Sequence, residues 1–259
     1  NIHDLEKLHG MSDLGSGGAC EYTRIDNVTF TSNIDILGTS LDFTNSSVSS
    51  SVTIYHKFVN MTNITIDDSL YLRSGGGTYL ESELGLAYLN NVTSTGQLGG
   101  VVRDLRLEDV HTTYGSATLR TSKLWMSNST LEKSSSNPSG YSIYVSDMSD
   151  YDNPSTEDIY IYNSTIKFNT SSDTDYSFTF DIDTTGDIRI IDSEINATRY
   201  RTSTIELKGS EVLIRNSTLW SGARNEASGT ECYHIYAEDE CSSTWGRYTR
   251  SYLILDVNN

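Results

Sequence analysis

Carboxylates are the commonest reactive side chains in this 259-residue chain, with 35 Asp and Glu against 18 Lys and Arg. Two carboxylates flanking one bond can act as the acid and base of glycoside hydrolysis, and several carboxylate oxygens together hold calcium. Asp67-Asp68 is one adjacent pair; Asp147, Asp150, Asp152, Glu157 and Asp158 crowd one loop, and Asp181, Asp183 and Asp187 lie near another. These spacings match no EF-hand loop and lack its central glycine, so they read as solvated loop charge. No cofactor is expected, calcium being the one ion for which the ligands are at hand. None of the five histidines (His3, His9, His56, His111, His234) stands in a recognisable catalytic setting, and there is no phosphate-binding loop. A net charge of −17 argues against nucleic acid, which requires Lys and Arg concentrated on one face.

A second pattern is the Asn-x-Ser/Thr acceptor of N-linked glycans, which begins at ten places. With 18 Asn and 68 Ser plus Thr, chance gives about half that number. Asn128, Asn163 and Asn216 are explained by turn chemistry alone, because Asn tolerates left-handed backbone and Ser and Thr bond locally. Glycosylation is the expectation for Asn27, Asn45, Asn60, Asn63, Asn91, Asn169 and Asn196. Three cysteines leave at least one free or intermolecular. Cys232 and Cys241 could close a hairpin-sized loop; Cys20, at the other end of the chain, could meet either of them in a neighbouring subunit. Sequons and cysteines together point to a secreted or cell-surface protein.

The elements that position these residues repeat. Leu124-x-Met126-x-Asn128-Ser129-x-Leu131, Ile159-x-Ile161-x-Asn163-Ser164-x-Ile166, Ile188-x-Ile190-x-Asp192-Ser193-x-Ile195 and Val212-x-Ile214-x-Asn216-Ser217-x-Leu219 share one pattern. Apolar residues two apart, a residue that enters left-handed geometry cheaply, and a third apolar residue describe strand, tight corner, strand. Weaker copies place corners at Asp109, at Asn90 in Leu86-x-Tyr88-x-Asn90, and at Gly38 in Ile34-x-Ile36-x-Gly38. A further alternating run precedes each corner, as in Ile143-x-Val145, Phe178-x-Phe180-x-Ile182 and Ile205-x-Leu207, so each coil is expected to hold three short strands. Repeats of twenty-odd residues with insertions signify an all-β solenoid, here of about eight coils, whose loops vary in length. Before residue 80 the phase is ambiguous, because Val52-x-Ile54 and Ile64-x-Ile66 fit more than one register.

Residues 1–19 are expected to form a short helix over 2–9 and a linker, with the helix plugging the first coil or lying as an arm on the surface. The solenoid domain would then occupy 20–259. The final run Tyr252–Val257 reads as a strand followed only by Asn258 and Asn259; it is expected to be covered by the loop at 221–250 or by another subunit. No stretch approaches the 18 apolar residues of a membrane span, and no leader is visible, although a chain beginning at Asn1 is compatible with one having been removed.

The φ-x-φ-x-Asn-Ser-x-φ repeat resembles the right-handed parallel β-helix repeat of the pectate-lyase-like superfamily, over about residues 25–257. In that family Asn often occupies the corner between the second and third strands, and stacked Asn side chains bond along the column. The resemblance places Asn90, Asp109, Asn128, Asn163, Asp192 and Asn216 there. It implies architecture far more than activity, since members include polysaccharide lyases, glycoside hydrolases, tailspikes and adhesin-like surface proteins. Of the hydrolase motifs only Asp67-Asp68 is echoed. A lyase-like arrangement would join carboxylate-bound calcium to an arginine, as Asp181 and Asp183 with Arg189, or would draw on Arg199, Arg201 and Arg215.

Two functions follow as expectations. One is a non-catalytic structural subunit of a filament, sheath or surface layer that self-associates through its solenoid ends. The other is a carbohydrate-binding adhesin or polysaccharide-cleaving enzyme in which Trp125, Trp220 and Trp245 form a sugar platform.

Overall fold

A computed structural model describes residues 22–73, 85–113, 118–135, 141–146, 155–170, 177–200, 202–223, 236–237 and 252–256. All regular structure in these segments is β-strand, and every strand pairing is parallel. The strands form three ladders that repeat in order along the chain, the signature of a solenoid-type stack. The first face runs through β1 (Tyr22–Asp26), β4 (Ser40–Val48), β6 (Phe58–Ile66), β8 (Leu86–Ser94) and β9 (Leu98–Thr112), then β10 (Thr118–Ser127), β13 (Ile159–Tyr162), β16 (Asp187–Ile191), β19 (Glu211–Arg215) and β22 (Tyr252–Asp256). The second face begins at β2 (Thr29–Phe30) and continues through the later halves of β4, β6, β8 and β9 into β11 (Thr130–Ser135), β14 (Thr165–Thr170), β17 (Glu194–Tyr200) and β20 (Thr218–Ala223). The third face runs from β3 (Ile34–Leu37), β5 (Val52–Tyr55) and β7 (Leu70–Arg73) through β9 and β10 to β12 (Tyr141–Val145), β15 (Ser177–Asp183), β18 (Thr202–Lys208) and β21 (Tyr236–Ala237).

Alternation within each strand sends every second side chain inward, and register stacks like upon like. Phe43, Met61, Leu89, Leu107, Met126, Ile161 and Ile190 form one such inward column on the first face. Ile36, Ile54 and Leu72 do the same on the third, followed by Gly100 and Leu119. Gly100 has φ of 135°, and a Cβ there would lie 1.8 Å from the Leu72 carbonyl oxygen, so the chain passes closer than a side chain permits. The buried apolar residues join into one continuous core.

Each turn from first to second face is made by a residue with left-handed φ: Asn27, Asn45, Asn63, Asn91, Asp109, Asn128, Asn163, Asp192 and Asn216, at 42–57°. Two readings of the sequence are corrected here. The corner is Asn91, not Asn90, because Ala87 and Leu89 face the core while Leu86 and Tyr88 face out. The small Ala87 hid the true frame behind the more apolar alternative. Gly38 is not left-handed either; Ile34 and Ile36 belong to the third face, and the early corners are Asn27, Asn45 and Asn63. The ambiguous phase before residue 80 thereby resolves into steps of 18 residues. The helix proposed for 2–9 and the boundary at residue 19 lie outside the described residues.

Two polar ladders run along this corner. On the outside, Asn63 Nδ2 donates to Asn45 Oδ1 (2.9 Å), Asn91 Nδ2 to Asn63 Oδ1 (2.8 Å) and Asn163 Nδ2 to Asn128 Oδ1 (2.8 Å). On the inside, the serine after the corner does two jobs. Its hydroxyl donates to the carbonyl two residues back, Ser129 to Ser127, Ser164 to Tyr162 and Ser193 to Ile191, at 2.6–2.7 Å. It also accepts a backbone N–H from the preceding coil: Val110 N–H to Ser129 Oγ at 3.0 Å, Ser129 N–H to Ser164 Oγ and Ser164 N–H to Ser193 Oγ at 3.2 Å each, and Ser193 N–H to Ser217 Oγ at 3.1 Å. Ser46 serves Val28 in the same way. These N–H groups leave the strand ladder at the bend and have no carbonyl opposite, so the hydroxyl prevents a buried orphan donor.

Ser164→Ala removes that acceptor from the buried Ser129 amide and should cost about 1–3 kcal/mol. Asn163→Ala should cost about 1–2 kcal/mol through forced left-handed geometry, and Asn163→Gly distinctly less. Denaturant unfolding of the three variants checks the order.

Candidate functional site

With the inward residues committed to the core, chemistry is left to the three outward faces. The second face presents short hydroxyls in register, Thr29, Ser47, Thr65, Thr93 and, past His111, Thr130 and Thr165. The first face is different. Its central outward column reads Arg24, Asp42, Asn60, Tyr88, Arg106, Trp125, Tyr160, Arg189 and Leu213, one residue per coil. Each position is set by the strand's alternation about its two buried neighbours, Trp125 between Leu124 and Met126, and Tyr160 between Ile159 and Ile161.

Side chains on this face are tied together. Tyr160 and Tyr162 stack with centroids 6.0 Å apart, and the Arg189 guanidinium lies 5.8 Å from the Tyr160 ring centre. Tyr88 donates to Glu108 Oε2 at 2.7 Å, and Asn90, displaced from the corner, donates to the Tyr88 oxygen at 2.8 Å. The bond to Glu108 holds the Tyr88 phenol above its ordinary range, while partial burial and Asp158 do so for Tyr160. Four cations are paired: Arg24 with Asp26 (3.9 Å), Arg106 with Asp104 (3.6 Å), Lys123 with Glu157 (3.1 Å) and Arg189 with Asp187 (3.3 Å). On the second face Lys167 reaches Glu194 at 2.6 Å and holds its carboxyl below the usual value. Such half-exposed pairs contribute little to stability individually.

The residues proposed for lyase-like chemistry are dispersed. Asp181 and Asp183 lie on β15 of the third face, whereas Arg189 lies on β16 of the first, held by Asp187 and Tyr160. Arg215 ends β19 on the first face and Arg199 lies on β17 of the second. Asp68 accepts bonds from Ser51 Oγ (2.7 Å) and Ser69 Oγ (3.0 Å) at the turn between the second and third faces. Trp220 falls on β20, while Trp245, Arg201, Asp147, Asp150, Asp152, Cys20, Cys232 and Cys241 lie outside the described residues.

The acceptor asparagines divide by geometry. Asn27, Asn45, Asn63 and Asn91, expected from sequence to carry glycans, are left-handed corners like Asn128, Asn163 and Asn216. All seven corner side chains are solvent-exposed rather than turned inward, so a corner position does not itself bar a sugar. Asn60 is outward and exposed in mid-strand, its Nδ2 donating to Asp42 Oδ1 at 2.9 Å. Asn196 is half-buried and donates to Glu194 at 3.2 Å; Asn169 lies in β14 opposite Thr198. The serine ladder was missed in the sequence, although its signal, Ser directly after the corner, stands in all four strong repeats.

One titratable group is buried outside these faces. His56, 5% exposed at the bend from third to first face, approaches the Ile36 backbone without a well-formed hydrogen bond on either ring nitrogen and borders a small pocket lined also by Ile54, Lys57, Leu72, Leu86 and Val102. Burial pushes its imidazole down to about 4, so it is neutral at pH 7. The unfolded chain, with the ordinary histidine value near 6.5, binds the proton first as pH falls. Stability is therefore full above about pH 6.5 and should fall by about 3 kcal/mol between there and pH 4. His56→Leu should flatten that part of the profile, measured as denaturant midpoints at pH 7 and 4.5.

No protein-family model, curated protein or solved structure matches the chain, so its function must be argued from this geometry.

Proposed function

We propose that the protein is an extracellular structural β-solenoid, a glycosylated, non-catalytic subunit of a filament, sheath or surface layer. In this reading it is a right-handed parallel β-helix, closest in character to the adhesin-like members of the pectate-lyase-like superfamily, and the ten strands stacked on its first face exceed the eight coils expected from sequence. One observation carries the reading: the polar residues of the repeat are spent on joining one coil to the next, Asn to Asn outside and Ser to backbone N–H inside. Every coil therefore offers its neighbour the same parallel strand edges and a left-handed Asn or Asp corner, with serine beside it in the later coils. Two chains meeting coil to coil would continue all three ladders in register, which is a route to head-to-tail polymers. Glycans on exposed corner asparagines such as Asn27 would project from the edge between two faces without obstructing this stacking.

A polysaccharide-cleaving role draws less support, since the carboxylates and arginine considered for it occupy different faces. Among the described residues no helix is long and apolar enough to cross a membrane.

Electron microscopy of concentrated protein should show ordered polymers whose subunit repeat runs along the strand-stacking direction. Discrete particles that remain monomeric at every concentration, or that cleave polysaccharide, would overturn the proposal.

A further inference from the structure

We infer that the outward side of the first face is a lateral contact surface for a second copy of this chain, packing solenoids side by side. This deepens the assembly proposed above but concerns a different surface, the flank of the stack rather than its ends.

Four observations carry it. Among the described residues the two large hydrophobic side chains that are strongly exposed, Tyr22 at 59% and Phe58 at 46%, both lie on this face. Tyr88, Trp125 and Tyr160 continue along it, with Arg106 between the first two and Arg189 after the last, the residue types that anchor protein interfaces.

The charge balance favours a copy of the same chain. At −17 overall, two molecules repel unless they meet where charge is cancelled. On this face Arg24, Arg106, Lys123 and Arg189 each stand beside a carboxylate. Cation and carboxylate therefore stand in close pairs at four places along it, so a second copy can place cation against carboxylate.

The size fits as well. Nine strands from β1 to β19 lie side by side here. At about 4.8 Å per strand and about 16 Å of strand width, the footprint is roughly 650 Å² per partner, near the ~800 Å² of a standard specific interface. The corresponding outward positions of the second face from β2 to β14 are filled, apart from His111, by rows of Thr and Ser hydroxyls instead.

The test compares the intact chain with Phe58→Glu/Trp125→Glu on the first face and with Thr65→Glu/Thr93→Glu on the second, which adds the same charge. All four positions face outward, and circular dichroism checks that each variant is folded. Sedimentation velocity across a concentration series should show the intact chain and the second-face variant pairing alike, and the first-face variant pairing at least tenfold more weakly. In micrographs the first-face variant should keep any end-to-end polymers while losing their side-by-side association. Loss of end-to-end polymers with lateral pairs intact would defeat the assembly reading and leave this inference standing. Equal weakening by both variants, or no pairing by the intact chain, would overturn it. So would a first face that is occupied instead by a soluble glycan, seen as retardation in affinity electrophoresis that the first-face variant abolishes.

Discussion

The backbone N–H groups at the first corner constrain everything else in this molecule. A chain that turns from one sheet face to the next must break its strand ladder, and at the bend the amides of Val110, Ser129, Ser164 and Ser193 lose a backbone acceptor. Left buried and unpaired, each would cost as much as a good core contact contributes. A serine placed directly after the left-handed residue solves this in the neighbouring coil, because its hydroxyl accepts the orphan N–H while donating to its own chain. The device works only if successive coils stay in register, so the same interaction that satisfies the bend also fixes the alignment of the inward apolar columns. Ile64, Val92 and Val110 stack in register at the serine position of the intervening coils and are buried there.

The left-handed position itself explains the choice of Asn and Asp. Both enter that region at modest cost, and Asn adds an amide that bonds along the column. Asp109 and Asp192 keep the geometry but bring only acceptors, so the outer ladder is broken where they occur. Loops of different length leave between the corners without disturbing them: successive corners are 18 residues apart early in the chain and 35 apart between Asn128 and Asn163. A stack built on nearest-neighbour terms tolerates this, since each coil answers only to the two it touches.

Much of this was legible in the sequence. The four strong repeats specify strand, corner and strand because period-two apolar residues and a left-handed residue leave few alternatives. The frame slipped at Leu86-Ala87-Tyr88-Leu89-Asn90-Asn91, where outward Leu86 and Tyr88 are more apolar than inward Ala87, and composition cannot tell a buried alanine from a surface one. It slipped again at Ile34 and Ile36, which have the right spacing but belong to the third face, because strands of all three faces share one periodicity. The candidate surface was less visible. Trp125 and the tyrosines could be noted one by one, but their alignment with Arg106 and Arg189 depends on coil lengths that only the strand register reveals. The abundance of acceptor asparagines likewise changes meaning once seven of the ten stand at left-handed corners. Backbone demand accounts for the Asn, and ladder chemistry for the Ser that follows four of them.

Amide hydrogen exchange at Ser129 and Ser164 tests the corner most directly. The account predicts that both amides exchange as slowly as the core-strand amides of Met126 and Ile161, because each is held by the serine hydroxyl of the next coil. Exchange as fast as that of exposed turn amides would contradict it, and would mean that the coils are joined by their strands and core alone.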